Sequence, residues 1–260
     1  MSLIAQSVIP RFRLSQIPSF HTVQQCVFKR FLNTQLSTLS TAEDTNKSIN
    51  NRLFKLGLVD EDGYFSRESL LFQKKALLNS SNSEIFKFPK YSPSRFASVL
   101  LPLVNSEEGA AVIVTLRSSR LHTHAGQMCF PGGKAEQSDG SWYNTALRET
   151  YEEIGLLPNF FQRIGSLPSL PTKDWKTKIT PYISFTNQYL MYNVSEEVQQ
   201  VYCIPLTFLL NPKNQRRGLF RNEVPFIEFH LECVPRIWGI TAFILNSYFS
   251  ILCPDLLMKV

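Results

Sequence analysis

Three glutamates on one predicted helix are the residues of this chain best suited to chemistry. Residues 144–154 carry apolar side chains at helical spacing, and Gly155 stands where such a helix ends. At about 100° per residue, Glu149, Glu152 and Glu153 fall within an arc of about 100°. Like charges at this spacing repel unless a cation lies among them, and Mg²⁺ prefers such oxygen ligands together with waters and phosphates. A solvated acidic face is the alternative for three glutamates taken alone.

The residues around this helix favour the cation interpretation. Arg148 can pair with Glu152 one turn away and hold part of the acidic cluster in place. A glycine turn, Gly132-Gly133, precedes the helix, and backbone N–H groups in such a turn can approach a phosphate closely. Basic residues beside the turn could pair with phosphate or could be ordinary surface charges; they are Arg117, Arg120 and Lys134.

The remaining pattern predicts an α+β fold with a mixed β-sheet sandwiched between helices. Strands are expected at residues 97–104, 111–116, 162–167, 179–185, 201–204, 218–221 and 225–231. Helices are expected at residues 51–58, 68–78, 144–154 and 240–252. Because these elements do not form regular βαβ units, a mixed sheet is favoured over a doubly wound one.

The net charge of +6 is concentrated at the start of the chain. The first 42 residues contain no Asp or Glu but four basic residues, which leaves +2 on the rest. Apolar, Ser and Thr residues are interleaved with them, as in a mitochondrial transit peptide; a disordered basic tail is the alternative. The sequence therefore predicts a transit peptide at residues 1–42, an N-terminal extension at 43–94 and a catalytic domain at 95–260, with the mitochondrial matrix as the location.

Composition and cysteine usage exclude several other classes. With 43% hydrophobic and 18% charged residues, the chain is neither wholly disordered nor collagen-like, and no apolar run is long enough to span a membrane. Five widely spaced cysteines without a C-x-x-C pair are typical of a reducing compartment. Beyond the first 42 residues no basic stripe is interleaved with aromatic residues, so no nucleic-acid partner is expected.

The stretch from Gly133 to Leu156 resembles the signature of the Nudix hydrolases, G-x5-E-x7-R-E-U-x-E-E-x-G-U, where U is a bulky aliphatic residue. It ends in Arg148-Glu149-Thr150-Tyr151-Glu152-Glu153-Ile154-Gly155-Leu156, with Thr150 at the aliphatic position. The middle of the signature is one residue longer here. Its early acid therefore falls at Asp139 counted from Gly133, but at Gly140 counted back from Arg148.

An upstream segment is similar to the coenzyme A diphosphatase branch of that family. The branch pattern is L-L-T-x-R-[SA]-x3-R-x3-G-x3-F-P-G-G. This chain matches it with Ile113-Val114-Thr115-Leu116-Arg117-Ser118, then Gly126 and Phe130-Pro131-Gly132-Gly133. His122 stands where the pattern has Arg. Later segments, such as Ile204-Pro205-Leu206 and residues 238–242, also look like this branch.

The resemblance implies an enzyme that uses Mg²⁺ or Mn²⁺ to hydrolyse the pyrophosphate of coenzyme A and acyl-coenzyme A. Glu149, Glu152 and Glu153 would be metal ligands, with Arg148 in the catalytic set. Glu149 or the downstream Glu197 would act as the base, although Glu197 could instead be a helix-surface acid. Substrate phosphates would meet the glycine turn and nearby basic side chains; the residues are Arg117, Arg120, His124, Gly132, Gly133 and Lys134.

Two alternatives to this activity are kept. One is a Nudix hydrolase of ADP-ribose, NADH or a capped nucleotide, against which the upstream pattern speaks. The other is a non-catalytic nucleotide-binding module, against which the intact charged residues speak. The expected partner is a small-molecule substrate, and the predicted assembly is a monomer, with a homodimer as the alternative.

Overall fold

The computed structural model describes residues 39–80, 88, 90–121, 123–187, 194–220, 224–232 and 234–259. Most of the predicted transit peptide lies outside the described residues, as does His122. Residues Ser40–Val260 form one compact unit. Among the described residues, no helix combines the length and the apolar character needed to cross a membrane. The predicted domain boundaries and the oligomeric state stay predictions.

Every predicted helix and strand is present in the predicted order, with bounds within about three residues of the prediction except at the start of the first helix. The helices are α1 (Leu39–Lys55), α2 (Arg67–Ser80), α3 (Trp142–Ile154), α4 (Leu206–Leu209) and α5 (Gly239–Leu252). The strands are β1 (Arg95–Ser106), β2 (Gly109–Arg117), β3 (Met128–Cys129), β4 (Gly132–Lys134), β5 (Gln162–Ser166), β6 (Leu170–Pro171), β7 (Thr177–Phe185), β8 (Val198–Pro205), β9 (Gln215–Phe220) and β10 (Val224–Phe229). Short 3₁₀ turns lie at Gln137–Asp139, Pro158–Phe160, Pro212–Asn214 and Pro254–Leu256.

The main sheet is mixed and has eight strands, so the predicted α+β class is confirmed. Its central path runs β3-β2-β1-β7-β5, with β4 paired to β1, β6 to β7 and β8 to β2. The β1–β7 pair is parallel, whereas the β1–β2 hairpin closes between Ser106 and Gly109 and is antiparallel. Strand β2 is buried over eight of its nine residues because sheet neighbours lie on both sides and the core covers its faces.

Helix α3 is fixed at both ends and along its apolar face. The Ser141 hydroxyl accepts a hydrogen bond from the Asn144 N–H and begins the helix, and Gly155 (φ 73°) ends it in the left-handed conformation. Ala146 and Leu147 pack against Leu100 of β1, within the same buried cluster as Tyr182 of β7. The polar face of the helix is thereby held toward β4.

The segment before the sheet is part of the packed core. Helix α1 begins twelve residues before the prediction at 51 because residues 39–48 are mostly polar and show no apolar period. Its later residues Ile49 and Leu53 are buried, as is Leu77 of α2. The Tyr248 hydroxyl of α5 donates to Gln73 of α2 at 2.6 Å, so a helix from the segment before the sheet is joined to the closing helix through a buried polar contact.

Candidate active site

One guanidinium joins the loop after β4 to the polar face of α3. Arg148 Nε lies 2.7 Å from Asp139 Oδ1, and Arg148 Nη2 lies 3.3 Å from Asp139 Oδ2. Arg148 also donates to the Lys134 carbonyl oxygen at 3.0 Å and to Glu152 Oε2 at 3.0 Å, and Nη2 lies 3.1 Å from Glu149 Oε1. This residue therefore satisfies two of the three predicted glutamates and one backbone carbonyl at once.

The early acid of the signature is Asp139. The 3₁₀ turn Gln137–Asp139 ends at Gly140, whose φ of 67° lies in the left-handed region that favours glycine. This turn accommodates the extra residue of the signature and brings the Asp139 carboxylate to Arg148. Counting from Gly133 therefore gives the correct position of the early acid. The carboxylate is 4% exposed and accepts a further hydrogen bond from Thr145 Oγ1 at 2.7 Å. The hydrogen bonds from Arg148 hold the pKa of Asp139 well below its usual range.

Glu153 is the most enclosed of the three glutamates. Its side chain is 6% exposed; Oε2 accepts from the Gly132 N–H at 3.3 Å, and Oε1 lies 3.8 Å from Arg117 Nη1. Burial raises the pKa of Glu153 to about 8; Arg117 opposes this rise, whereas the charge of Glu149 adds to it. A cation placed against this carboxyl would favour its charged form.

Glu149 lies directly against the glycine turn. A Cβ built on Gly133 would overlap the Glu149 carboxylate, and one built on Gly132 would overlap the Ser98 carbonyl oxygen of β1. Because glycine has no side chain, β4 can pass close to both β1 and α3. Burial raises the pKa of Glu149, and the charge of Arg148 acts in the opposite direction.

Arg117 brings the upstream segment into this site. It ends β2, and its guanidinium lies between two carboxylates, 3.8 Å from Glu153 Oε1 and 3.8 Å from Glu197 Oε2. Glu197 is 60% exposed and lies in the turn before β8, so it is a surface acid on a turn and not on a helix; its role as a base stays a prediction. Strand pairing explains the meeting, because β8 runs antiparallel to β2 and Arg117 is opposite Val198.

The other predicted phosphate ligands are exposed residues. Arg120 and His124 lie on the exposed turn between β2 and β3, where His124 Nδ1 is 3.0 Å from Gln127 Oε1. Within the described part of the chain, no ion pair joins either residue to the acidic cluster. The backbone carbonyl oxygen of Lys134 accepts a hydrogen bond from Arg148, and Lys134 is exposed. A role in substrate binding stays a prediction for all three.

Thr150 shows why a hydroxyl is tolerated at the aliphatic position of the signature. The residue is fully buried, and its Oγ1 donates to the Ala146 carbonyl one turn earlier at 2.6 Å. The hydroxyl is therefore satisfied within the helix, and its methyl group occupies the place of the aliphatic side chain.

The donor set fits a hard divalent cation. Over the described residues, no three or more His, Cys, Asp or Glu side chains are gathered closely enough to hold a metal ion. Glu152 is turned toward Arg148 and is 53% exposed, whereas Glu149 and Glu153 are largely buried. Two enclosed carboxylates beside a glycine turn match the usual Mg²⁺ site, in which one or two carboxylates act with waters and phosphates. Coordination by all three glutamates stays a prediction.

Comparison with known proteins identifies the family of this chain. A family model for the NUDIX domain matches residues 94–205. A Schizosaccharomyces pombe protein named "Probable nudix hydrolase" is 47% identical over 211 residues, which is 80% of this chain and 74% of that protein. The chain belongs to the Nudix hydrolase family. Nudix hydrolases generally use divalent metal ions and act on small-molecule substrates, which agrees with the donor set.

Two further likenesses extend the comparison. This Nudix hydrolase is 37% identical over 170 residues to the mitochondrial coenzyme A diphosphatase NUDT8 of Homo sapiens, covering 61% of this chain and 70% of the human protein. The crystal structure of a MutT/nudix family protein from Enterococcus faecalis is similar with a TM-score of 0.44 and 16% identity, over 72% of this chain and 74% of that one.

The Asp139–Arg148 pair predicts a pH-dependent stability. Because the folded pKa of Asp139 is lowered, its charged form stabilises the fold above the unfolded pKa of about 3.9, and this stabilisation is lost as the pH falls toward the folded pKa. Asp139→Asn should therefore lower the free energy of unfolding by about 2–3 kcal/mol at pH 7. Urea unfolding should show this difference shrinking below about pH 4.

Asp174→Asn is the matched control, because its partner Arg95 and Asp174 itself are each 49% exposed and water weakens their pairing. A difference between wild type and Asp139→Asn that stays constant down to pH 2 would contradict the assigned role of the pair.

Proposed function

We propose that this Nudix hydrolase cleaves the pyrophosphate bond of coenzyme A and its acyl derivatives. The products would be 4′-phosphopantetheine, or its acylated form, and adenosine 3′,5′-bisphosphate. The observation that carries the proposal is the position of Arg117. This residue belongs to the segment that resembles the coenzyme A branch, and it lies 3.8 Å from Glu153 of the Nudix signature.

The chain offers groups for holding the metal and for accepting a proton. Glu149, Glu152 and Glu153 would hold Mg²⁺ or Mn²⁺, which when bound neutralises phosphate oxygens and makes water a better nucleophile. Arg148 orients Glu149 and Glu152 through its guanidinium group. Either Glu149 or Glu197 would take the proton of the attacking water.

Positive charge and backbone donors beside the carboxylates would receive the substrate. Arg117 is 21% exposed, so its guanidinium is partly open to a phosphate oxygen as well as to its two glutamates. The Gly132 and Gly133 backbone would lie along the pyrophosphate, since neither residue has a side chain that would hold it away. Lys134, Arg120 and His124 would meet the outer phosphates of the substrate.

The substrate claim is tested by incubating the full chain with Mg²⁺ or Mn²⁺ and a panel of diphosphates, followed by chromatography. The panel is coenzyme A, an acyl-coenzyme A, ADP-ribose, NADH and a capped nucleotide. We expect coenzyme A to be cleaved with the highest kcat/KM and to give adenosine 3′,5′-bisphosphate. Cleavage of another diphosphate without cleavage of coenzyme A would contradict the proposal.

The metal ligands are tested by removing one charge at a time. Glu153→Gln should lower kcat by more than about tenfold, because a neutral amide is a poor ligand for a hard cation. The loss should be partly recovered at higher Mn²⁺ concentration if binding of the ion is the affected step. Glu196→Gln is the matched control, since this exposed glutamate lies in the turn before β8, next to Glu197 in the chain. Rates near wild type for Glu153→Gln at low metal would exclude Glu153 as a ligand.

We also propose a mitochondrial matrix location. It is supported by the acid-free, basic first 42 residues and by the similarity to the human enzyme, whose name places that protein in mitochondria. The full chain with a fluorescent protein at its C-terminus should co-localise with a matrix marker, and deletion of residues 1–42 should disperse it. Cytosolic or peroxisomal fluorescence from the full chain would overturn the proposal.

A further inference from the structure

Two exposed aromatic rings and a lysine lie together at the start of α3. The rings of Phe96, on β1, and Trp142, the first residue of α3, are stacked with centroids 5.5 Å apart and planes 15° apart. Lys178 Nζ, on β7, lies 5.4 Å from the centroid of the Trp142 ring. Each aromatic residue is 40% exposed. The two rings and Lys178 therefore form a partly exposed patch of aromatic and basic side chains.

Strand register places Phe96 and Lys178 side by side next to Trp142. The two residues are directly opposite each other in the parallel β1–β7 pair. Opposite residues point to the same face of a sheet, so the phenyl ring and the ammonium group can both lie close to the indole. Trp142 also borders an open cavity of about 380 Å³, lined by residues 135–137, 140–142 and 145. Since Trp142 is 40% exposed, part of its indole is open to a ligand in this cavity.

This cavity adjoins the glutamate site through the loop that leaves β4. Ala135, which lines the cavity, follows Gly133 by two residues, a span of at most about 7 Å. Along α3, Trp142 precedes Glu149 by about 10 Å. The Ala135 N–H donates to the Phe96 carbonyl oxygen at 2.9 Å, so the loop is tied to the strand that carries the aromatic platform. A nucleotide whose 5′-phosphate lay at the glutamates could reach this surface with its base.

The charges around the platform suit a phosphorylated nucleoside. Among the residues that the structure describes, no acidic side chain lies within salt-bridge distance of Lys178, so its ammonium group can pair with a phosphate. Glu136 is the carboxylate residue that borders the cavity, and a carboxylate can accept a hydrogen bond from an exocyclic amino group. An adenosine phosphate matches both side chains, since its base carries an exocyclic amino group for Glu136 and its sugar carries a phosphate for Lys178.

We propose that Trp142, with Lys178 beside it, binds the adenosine 3′-phosphate end of the substrate. Adenine stacks on the exposed part of the indole, and Lys178 pairs with the 3′-phosphate. The proposal rests on the proposed function, because coenzyme A carries this group next to its pyrophosphate. Trp142 and Lys178 are then specificity-determining residues, separate from the carboxylates that act on the pyrophosphate.

Direct binding to the full chain tests the subsite without turnover. Adenosine 3′,5′-bisphosphate and adenosine 5′-monophosphate are titrated calorimetrically, with and without Mg²⁺. The wild type should bind the bisphosphate at least about tenfold more tightly, and Lys178→Gln should remove that preference without weakening the monophosphate. Trp142→Ala should weaken both ligands by about tenfold, because it removes the stacking surface common to them.

The chain supplies a matched control for each variant. Trp238 is 37% exposed and has the guanidinium of Arg236 5.0 Å from its ring centroid, so Trp238→Ala removes a similar exposed indole at a different place in the fold. Lys173→Gln removes an exposed lysine close in sequence to Lys178. Both controls should bind the two ligands as the wild type does.

Three results would overturn the subsite: no binding of either ligand by the wild type, an equal effect of Lys178→Gln on both ligands, or unchanged affinity in Trp142→Ala. A folded Trp142→Phe variant with intermediate affinity for both ligands would support it further. These outcomes are separate from the substrate claim. If the predicted binding pattern appears but coenzyme A is not cleaved, the subsite stands and the proposed reaction is wrong.

Discussion

The arrangement of the site depends on the contacts of one arginine. Three glutamates on one helical face repel each other, and burial of two of them adds a desolvation cost. Arg148 opposes the repulsion and the desolvation of Glu149, because its fork of donors reaches Asp139, Glu149, Glu152 and the carbonyl of the loop in one geometry. Lysine could not make the paired contact to Asp139 together with the others. The loop that carries the glycine turn is therefore fixed relative to the helix that carries the carboxylates.

The sheet brings segments that are distant in sequence next to the loop and the helix that Arg148 joins. Strand β1 holds β4 on one side and the α3 packing surface on its face, so the glycine turn lies against Glu149. Strand β2 ends at Arg117 and pairs with β8, which places Glu197 on the same side as Glu153. The segment upstream of the glycine turn and the glutamate face of α3 thus form one surface. The contacts that join these two segments cannot be read from either motif alone.

Many of the elements around the site were predictable from the sequence because local periodicity encodes them. The apolar spacing of α3, its glycine stop and the β1–β2 hairpin depend on neighbouring residues, and the structure has them where the pattern indicates. Other features depend on tertiary contacts. The sequence alone does not decide whether the early acid of the signature falls at position 139 or 140. That position depends on the left-handed turn at Gly140, which accommodates the extra residue. The stack of Phe96 on Trp142 joins residues 46 positions apart, and no periodicity within either segment signals that contact.

In the proposed reaction, water attacks phosphorus in the pyrophosphate of a coenzyme A derivative at the carboxylate face that Arg148 organises. The decisive experiment is mass spectrometry of the products formed from an acyl-coenzyme A in ¹⁸O-labelled water. We expect one ¹⁸O per turnover on a phosphate of acyl-phosphopantetheine or of adenosine 3′,5′-bisphosphate, with the thioester intact. Label in a free carboxylic acid, or in inorganic phosphate released from the 3′ position, would contradict it.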